Sequence, residues 1–213
     1  TTQNYVFGQS ELGLHYGITN ESKLRHSHWG NDMHGQTVLA DLKTETDDEK
    51  WIHVAWTWSG PEKIGKIYLN GELDLEAFVK NPDNFYGNLI LGNRNNGLQV
   101  NGTPHNVGFK GLIDEVTIWN RELSEEEISQ LHNGKNPIND IIQSKKPEVL
   151  YSKSEDDADG DGYSDKLENE LGSDPNNSDK IPPNLIAYYD FENSSKDELT
   201  DNSKWKNHGK ILD

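Results

Sequence analysis

Residues 51–73 read WIHVAWTWSGPEKIGKIYLNGEL. Ile52, Val54, Trp56 and Trp58 alternate with His53, Ala55 and Thr57, the period-two pattern of a strand with one buried face. Lys66 to Leu69 then runs into Asn70-Gly71, a pair suited to the positive φ angles of a type I′ turn, so a second strand returns beside the first. Working outward, Leu12, Leu14, Tyr16 and Ile18 alternate with Gly13, His15 and Gly17. NLILGN (88–93) and FKGLIDEVTIWN (109–120) supply two more strands, the latter with Leu112, Asp114, Val116 and Ile118 on one face and Ile113, Glu115, Thr117 and Trp119 on the other. Gly, Asn, Asp and Pro punctuate these runs to about residue 120, the signature of an antiparallel all-β domain.

One short helix follows. Ser124 and Glu127 form a capping box, Leu123 and Ile128 sit at hydrophobic-staple positions, Leu131 continues the apolar stripe and Gly134 supplies the stop, which predicts a helix over 125–132. Beyond it the chain is mixed and proline-punctuated, passes through an acidic Gly-Asp cluster and Pro182-Pro183, and ends in a new strand, LIAYYDF (185–191).

At 213 residues the chain has room for one large β domain and an appendage. Only 31% of residues are hydrophobic, yet six Trp, eight Tyr and five Phe supply the aromatic anchors that a disordered polar chain lacks. No run approaches the roughly 20 apolar residues of a membrane span. The opening TTQNY has neither a basic nor an apolar leader region, so a mature product or an excised piece is expected. Asp and Glu number 37 against 20 Lys and Arg, a net charge of -17 that repels phosphate backbones and anionic headgroups and attracts divalent cations. Nucleic acid is therefore not expected as a partner. With no cysteine, disulfides, thiolate metal sites and cysteine nucleophiles are all excluded.

The acidic cluster has metal-ligand spacing. Residues 157–168 read DADGDGYSDKLE, with Asp157, Asp159 and Asp161 at positions one, three and five of a twelve-residue loop, Gly162 at six, Asp165 at nine and Glu168 at twelve. Alternate short carboxylates converge on a hard cation, glycine permits the sharp turn, Tyr163 offers its backbone carbonyl and Glu168 reaches back from a helical turn. Calcium is the expected cofactor. Without a cation, two carboxylates about 4 Å apart repel by roughly 1 kcal/mol in water and about 4 at an effective dielectric of 20.

The longer stretch DADGDGYSDKLENELGSDPNNSDKIPP resembles thrombospondin type 3 and related bacterial calcium repeats over residues 157–180, through a D-x-D-G-D-G-x-x-D-x-x-E core followed by G-[ST]-D-P and a further Asp. That resemblance implies Asp174 and Asp179 as additional or second-site ligands. It also implies a calcium-rigidified spacer in a secreted protein.

WIHVAWTW, KIYLNGEL, NLILGN and FKGLIDEVTIWNRELSEEEI together resemble the laminin G-like, concanavalin A-like jelly-roll family over about residues 5–134, through its W-x-H-V-A strand, its I-Y-x-[DN]-G hairpin and its G-x-I-D-E-[VI]-x-I-[WY]-[ND]-R-x-L-[ST] close. The family's opening strands are absent from this end of the chain. LIAYYDFENSSKDELTDNSKWKNHGKILD (185–213) is similar to that missing opening, an aromatic strand followed by D-x-S-x-x-x-N-H-G. Three arrangements follow: a fragment of a tandem array, a permuted domain whose tail folds back, or a subunit whose tail completes a neighbour's sheet. The expected fold is all-β, an antiparallel jelly-roll sandwich with one short helix and a small calcium-binding loop segment. Its parts are a laminin G-like domain over 1–137, a linker with the calcium repeat over 138–183, and the opening segment of a second or completed jelly roll over 184–213.

Other chemistry is weaker. HSHWGNDMH brings His26, His28 and His34 close together, with His15 and His53 on other strands, but His-x-His also occurs on polar strand faces and no carboxylate sits at a zinc-site spacing. Glycoside hydrolysis needs two carboxylates facing one sugar, and the nearest pair, Asp114 and Glu115, alternates across a strand. No G-x-S-x-G context appears. No catalytic residue is therefore expected. Asp114, beside Val116 and Ile118, reads as a buried structural or calcium-linked acid. Trp56 and Trp58 read as core, whereas Tyr16 and Trp29 are candidates for stacking on a sugar ring. The function expected is a non-catalytic, extracellular, calcium-stabilised adhesion or scaffold protein, with other copies or neighbouring domains as partners and self-assembly by strand exchange open to it. The alternative is a glycan-binding accessory module of a secreted carbohydrate-active enzyme.

Overall fold

A computed structural model describes residues 4–9, 14–28, 31–41, 51–59, 62–79, 89–93, 99–100, 103–104, 108–136, 158–159, 165, 168–169, 173–178, 185–192, 194–203 and 205–211. The chain forms two compact units: Thr1–Ile113 with Ser124–Asn133, and Asp114–Leu123 with Gly134–Asp213.

The first unit contains β1 (Asn4–Gln9), β2 (His15–Ile18), β3 (Leu24–His28), β4 (Asn31–His34), β5 (Val54–Ser59), β6 (Ile64–Leu69), β7 (Glu72–Phe78), β8 (Leu89–Leu91), β9 (Gln99–Val100), β10 (Thr103–Pro104) and α1 (Glu125–His132). One sheet has the order β4-β3-β2-β1-β8 and another β5-β6-β7, with β9 and β10 paired separately. All these strand pairings are antiparallel. The fold is a β-sandwich, because the core is shared between the two larger sheets: Leu24 and Met33 come from one, Ile67 and Leu69 from the other, with Leu39 and Val79 between. Ile52, Val54, Trp56 and Trp58 pack against this cluster on the alternation that their spacing predicts. Burial of a side chain such as Ile67 contributes about 1.5–3 kcal/mol. Gly65 permits the close approach, since a Cβ there would stand 2.7 Å from Val79 Cγ2 and 2.8 Å from Met33 Sδ.

The Asn70-Gly71 hairpin forms as expected. Both residues have positive φ, 51° and 81°, and β5 pairs β6 in unbroken register from Val54↔Leu69 to Ser59↔Ile64. The helix begins and ends where its caps place it. Glu127 N–H donates to Ser124 Oγ (3.3 Å) and Ser124 N–H donates to Glu127 Oε2 (2.8 Å). Ile128 is fully buried, and α1 packs against β7.

The second unit holds β11 (Val116–Trp119), β12 (Leu185–Tyr189), β13 (Glu198–Leu199) and β14 (Gly209–Lys210). β11 pairs antiparallel with β12, Val116 opposite Tyr189 and Ile118 opposite Ala187, so the strand predicted at 185–191 has a partner within its own chain. The strand predicted over 109–120 is shorter than its alternation implied. Glu115 takes a φ of 53°, which breaks the extended run, and strand geometry starts only at Val116. Leu112 is consequently exposed. No helix among the described residues is long and apolar enough to cross a membrane.

Candidate metal centre

Of the expected calcium ligands, Asp159, Asp165, Glu168 and Asp174 fall within the described residues; Asp157, Asp161, Tyr163 and Asp179 lie outside them. Glu168, at loop position twelve, is 0% exposed, and both of its carboxylate oxygens are closed off from solvent. Burying an ionised carboxylate costs several kcal/mol unless opposite charge or donors meet it. Asp165 Oδ1 accepts the backbone N–H of Ala158 at 2.8 Å, tying loop position nine to position two. Ser173 turns the chain after Glu168, its N–H donating to the Glu168 carbonyl at 3.0 Å. Asp174 opens a tight turn, with Oδ1 accepting the Asn176 N–H (3.2 Å) and its carbonyl accepting that of Asn177 (2.9 Å). Among the described residues no three His, Asp or Glu side chains converge as a metal-binding group. The donors present are hard carboxylate oxygens, with Glu168 shielded from water, and this donor set fits calcium.

Asp114 departs from its expected role. It is exposed, not buried, and its Oδ1 accepts the N–H of Glu115 at 2.9 Å. The left-handed backbone at Glu115 takes Asp114 off the inner face that simple alternation assigned to it. Glu115 Oε2 instead accepts the hydroxyl of Tyr188 at 2.5 Å. Burial first, and the Glu115 carboxylate next, push that hydroxyl's pKa well above the ordinary tyrosine value.

A polar cluster that the sequence did not reveal lies in the first unit. Arg25 Nη2 donates to Asp32 Oδ2 at 2.5 Å, Arg25 Nη1 donates to the Tyr5 hydroxyl at 3.2 Å, and the Ser27 hydroxyl bonds Asp32 Oδ1. His15 Nε2 lies 2.8 Å from Ser27 Oγ and 3.2 Å from Arg25 Nη2. Tyr5, His15, Arg25 and Ser27 are buried. Burial alone would raise the Asp32 pKa, but Ser27 and Arg25 hold it below the usual carboxylate value. The available signal was the hairpin register: Ser27 faces Asp32 directly, and Arg25 and Ser27 share a face two residues apart. His26 is fully buried; its ring and that of Tyr16 are 4.7 Å apart.

Residues 1–129 match the family model of the concanavalin A-like lectin/glucanases superfamily. The chain belongs to this superfamily. Residues 157–178 match the bacterial TSP3 repeat. Pentraxin-related protein PTX3 of Mus musculus is 35% identical over 83 residues, 37% of this chain and 22% of the mouse protein. The Homo sapiens protein is 29% identical over 85 residues, 38% of this chain and 22% of its own length. The chain thus spans about a fifth of the length of the curated relatives it matches. Among solved structures, a protein of Bacteroides ovatus ATCC 8483 to which carbohydrate binding is provisionally ascribed superposes with a TM-score of 0.58 at 17% identity, over 98% of this chain and 47% of that one, a likeness of fold.

Within this concanavalin A-like unit Tyr16 is a packing residue. Its ring stacks on Trp56 (5.3 Å) and on Phe7 (5.9 Å), each with planes 10° apart, and burial raises its hydroxyl pKa. A sugar-stacking ring needs an open face, and here the Tyr16 ring is stacked on two aromatic neighbours of its own chain. The period-two pattern showed which side Tyr16 takes, but not that this side faces Trp56. Trp29 lies outside the described residues.

Proposed function

We propose that this concanavalin A-like chain is a non-catalytic, calcium-stabilised adhesion or scaffold module that works outside the cell. The observation carrying this reading is the connectivity of the second unit: β11 and β12 pair antiparallel, and the TSP3 repeat lies in the chain between them. Closing a long connection costs conformational entropy that rises with its length. A calcium ion held by Asp157, Asp159, Asp161, the Tyr163 carbonyl, Asp165 and Glu168 offsets that cost by ordering the segment, and Asp174 and Asp179 add ligands to it or to a second ion. The role is structural. Affinities of about 10⁻⁴ to 10⁻³ M are typical of extracellular calcium modules. In this reading 1–137 is the binding sandwich, 138–183 the spacer and 184–213 the segment that completes a jelly roll. Amide exchange of the intact chain tests it: residues 157–178 should be strongly protected with calcium and lose that protection in chelator. Equal exchange in both conditions would count against it.

A second reading, glycan recognition, draws on the likeness to the Bacteroides ovatus protein and on Trp51, which is 54% exposed just before β5. Exposed indole rings stack on sugar faces while their edges remain wet. Binding on an immobilised glycan panel that disappears in Trp51→Ala and in Trp29→Ala would support it. Self-assembly is open to the same fold if the β11–β12 register forms between copies. Light scattering of the intact chain against one lacking residues 182–213 distinguishes that arrangement.

A further inference from the structure

We infer that His53 and His132 form a two-imidazole site for a borderline divalent metal ion of the zinc class, built on the Asn70-Gly71 turn and separate from the calcium repeat. The two histidines are far apart in sequence and are brought together by one structural element. His53 is fastened to the turn on one side: its N–H donates to Asn70 Oδ1 (3.0 Å), and its carbonyl accepts the Asn70 N–H (2.8 Å). His132, the last residue of α1, lies over the neighbouring residue, because a Cβ placed on Gly71 would stand 3.0–3.2 Å from its Cβ, Cδ2 and Cγ. The φ of 81° at Gly71 favours glycine there, and a Cβ would sit tight against His132, so the backbone that sets the hairpin also sets the pair of rings.

The ring geometry suits shared ligation. A zinc–nitrogen bond of about 2.0–2.1 Å, with about 1.1 Å more from nitrogen to ring centre, places two imidazole centroids about 5.2 Å apart at a tetrahedral metal. The observed separation is 5.5 Å, with planes inclined at 44°. His53 Nδ1 is a buried nitrogen with no hydrogen-bond partner, and buried polar atoms normally have one. A metal ion would satisfy it. His132 is exposed, which leaves a solvent side from which water completes the coordination. Imidazole nitrogen selects zinc, copper or nickel over calcium, so the two metals do not compete for the same donors.

The test is titration of the intact, calcium-saturated protein with zinc chloride in a calorimeter. One zinc equivalent should bind, with affinity lowered about tenfold or more in His132→Gln, a change at an exposed helix end that keeps the fold. His53→Gln should show the same loss, and His34→Gln, an exposed histidine elsewhere, should bind like the parent. With copper(II) in place of zinc, paramagnetic resonance should show nitrogen coupling from two imidazoles in the parent and from fewer in His132→Gln. Undiminished zinc binding in His132→Gln, binding lost in His34→Gln, or no zinc heat in the parent would each overturn the assignment. The first two outcomes would place zinc elsewhere, and the third would make the ring pair a packing contact only.

Discussion

Asp201 Oδ1 accepts the backbone N–H of Tyr188 at 2.8 Å, so a carboxylate in the loop after β13 holds the middle of β12. The same carboxylate accepts the N–H groups of Ser203 (2.8 Å) and Asn207 (2.7 Å) and the Ser203 hydroxyl (2.8 Å), and Asp201 is 0% exposed. This gives the D-x-S-x-x-x-N-H-G stretch a physical role: one buried acid organises the loop around it. Asp201→Ala leaves several buried donors without acceptors, each costing about 1–3 kcal/mol. Urea unfolding should show a loss of about 3 kcal/mol or more.

The pH dependence of that node has a definite sign. Burial alone would raise the Asp201 pKa, but the hydrogen bonds from Tyr188, Ser203 and Asn207 outweigh it and hold the folded value below the usual 3.8. A group with a depressed folded pKa contributes stability that is complete above its unfolded value and is lost as pH falls through the folded one. The Asp201 contribution should therefore be intact at pH 5 and decline below about pH 4. Comparing urea midpoints of the parent and Asp201→Asn across that window isolates it, and the asparagine variant should lack this component of the slope.

Arg25 and Asp32 make a second node, with Arg25 nearly buried and the Asp32 side chain 41% exposed. Removing one partner of a fully buried pair costs about 3–5 kcal/mol, and exposure of Asp32 lowers the figure to about 1–3. Asp32→Asn should weaken the protein by that amount, because the guanidinium loses its counter-charge while staying inside. Arg25→Leu together with Asp32→Leu should recover much of the loss. A double variant as unstable as the single one would mean that the pair sets the geometry of Ser27 and His15 rather than merely neutralising charge.

Gly71→Ala places a side chain on a residue at φ 81° and brings a methyl within 3.0 Å of His132 Cβ. The left-handed backbone costs roughly 1–2 kcal/mol for an L-residue, and the helix end must also shift. Thermal unfolding should fall by several degrees. Asn70→Gly keeps the positive φ but removes the Oδ1 that accepts the His53 N–H, so it should cost about 1 kcal/mol.

What the sequence revealed and what it concealed divide along local and non-local lines. The Asn70-Gly71 turn and the Ser124–Glu127 capping box are chemical statements made within a few residues, and both appear where they were expected. Asp114 leaves the face that alternation gives it because its carboxylate bonds the next residue's own N–H, a local competitor that hydrophobic alternation does not register. The packing of Tyr16 is hidden for the opposite reason. Its face depends on Trp56 in another sheet, and no periodicity within β2 contains that information. The Arg25–Ser27–Asp32 cluster needed only a hairpin register, which fixes Ser27 opposite Asp32 once the strands are placed.

Glu168 provides the sharpest test of the calcium assignment, because its burial makes two explanations predict opposite signs. If the buried carboxylate is a calcium ligand, the ion stabilises the fold by RT ln(1 + [Ca]/Kd), about 2.7 kcal/mol at hundredfold excess over Kd. Glu168→Gln keeps the shape but removes the two-oxygen ligand, and a tenfold weaker Kd lowers that stabilisation by about 1.4 kcal/mol. In chelator the same variant should be as stable as the parent or more so, since a buried charge without its cation is a liability. Thermal melts of both proteins, with calcium at about a hundred times Kd and with chelator, separate these cases. A loss of equal size in the two conditions would show that Glu168 is a packing carboxylate met by protein donors, and would remove it from the ligand set.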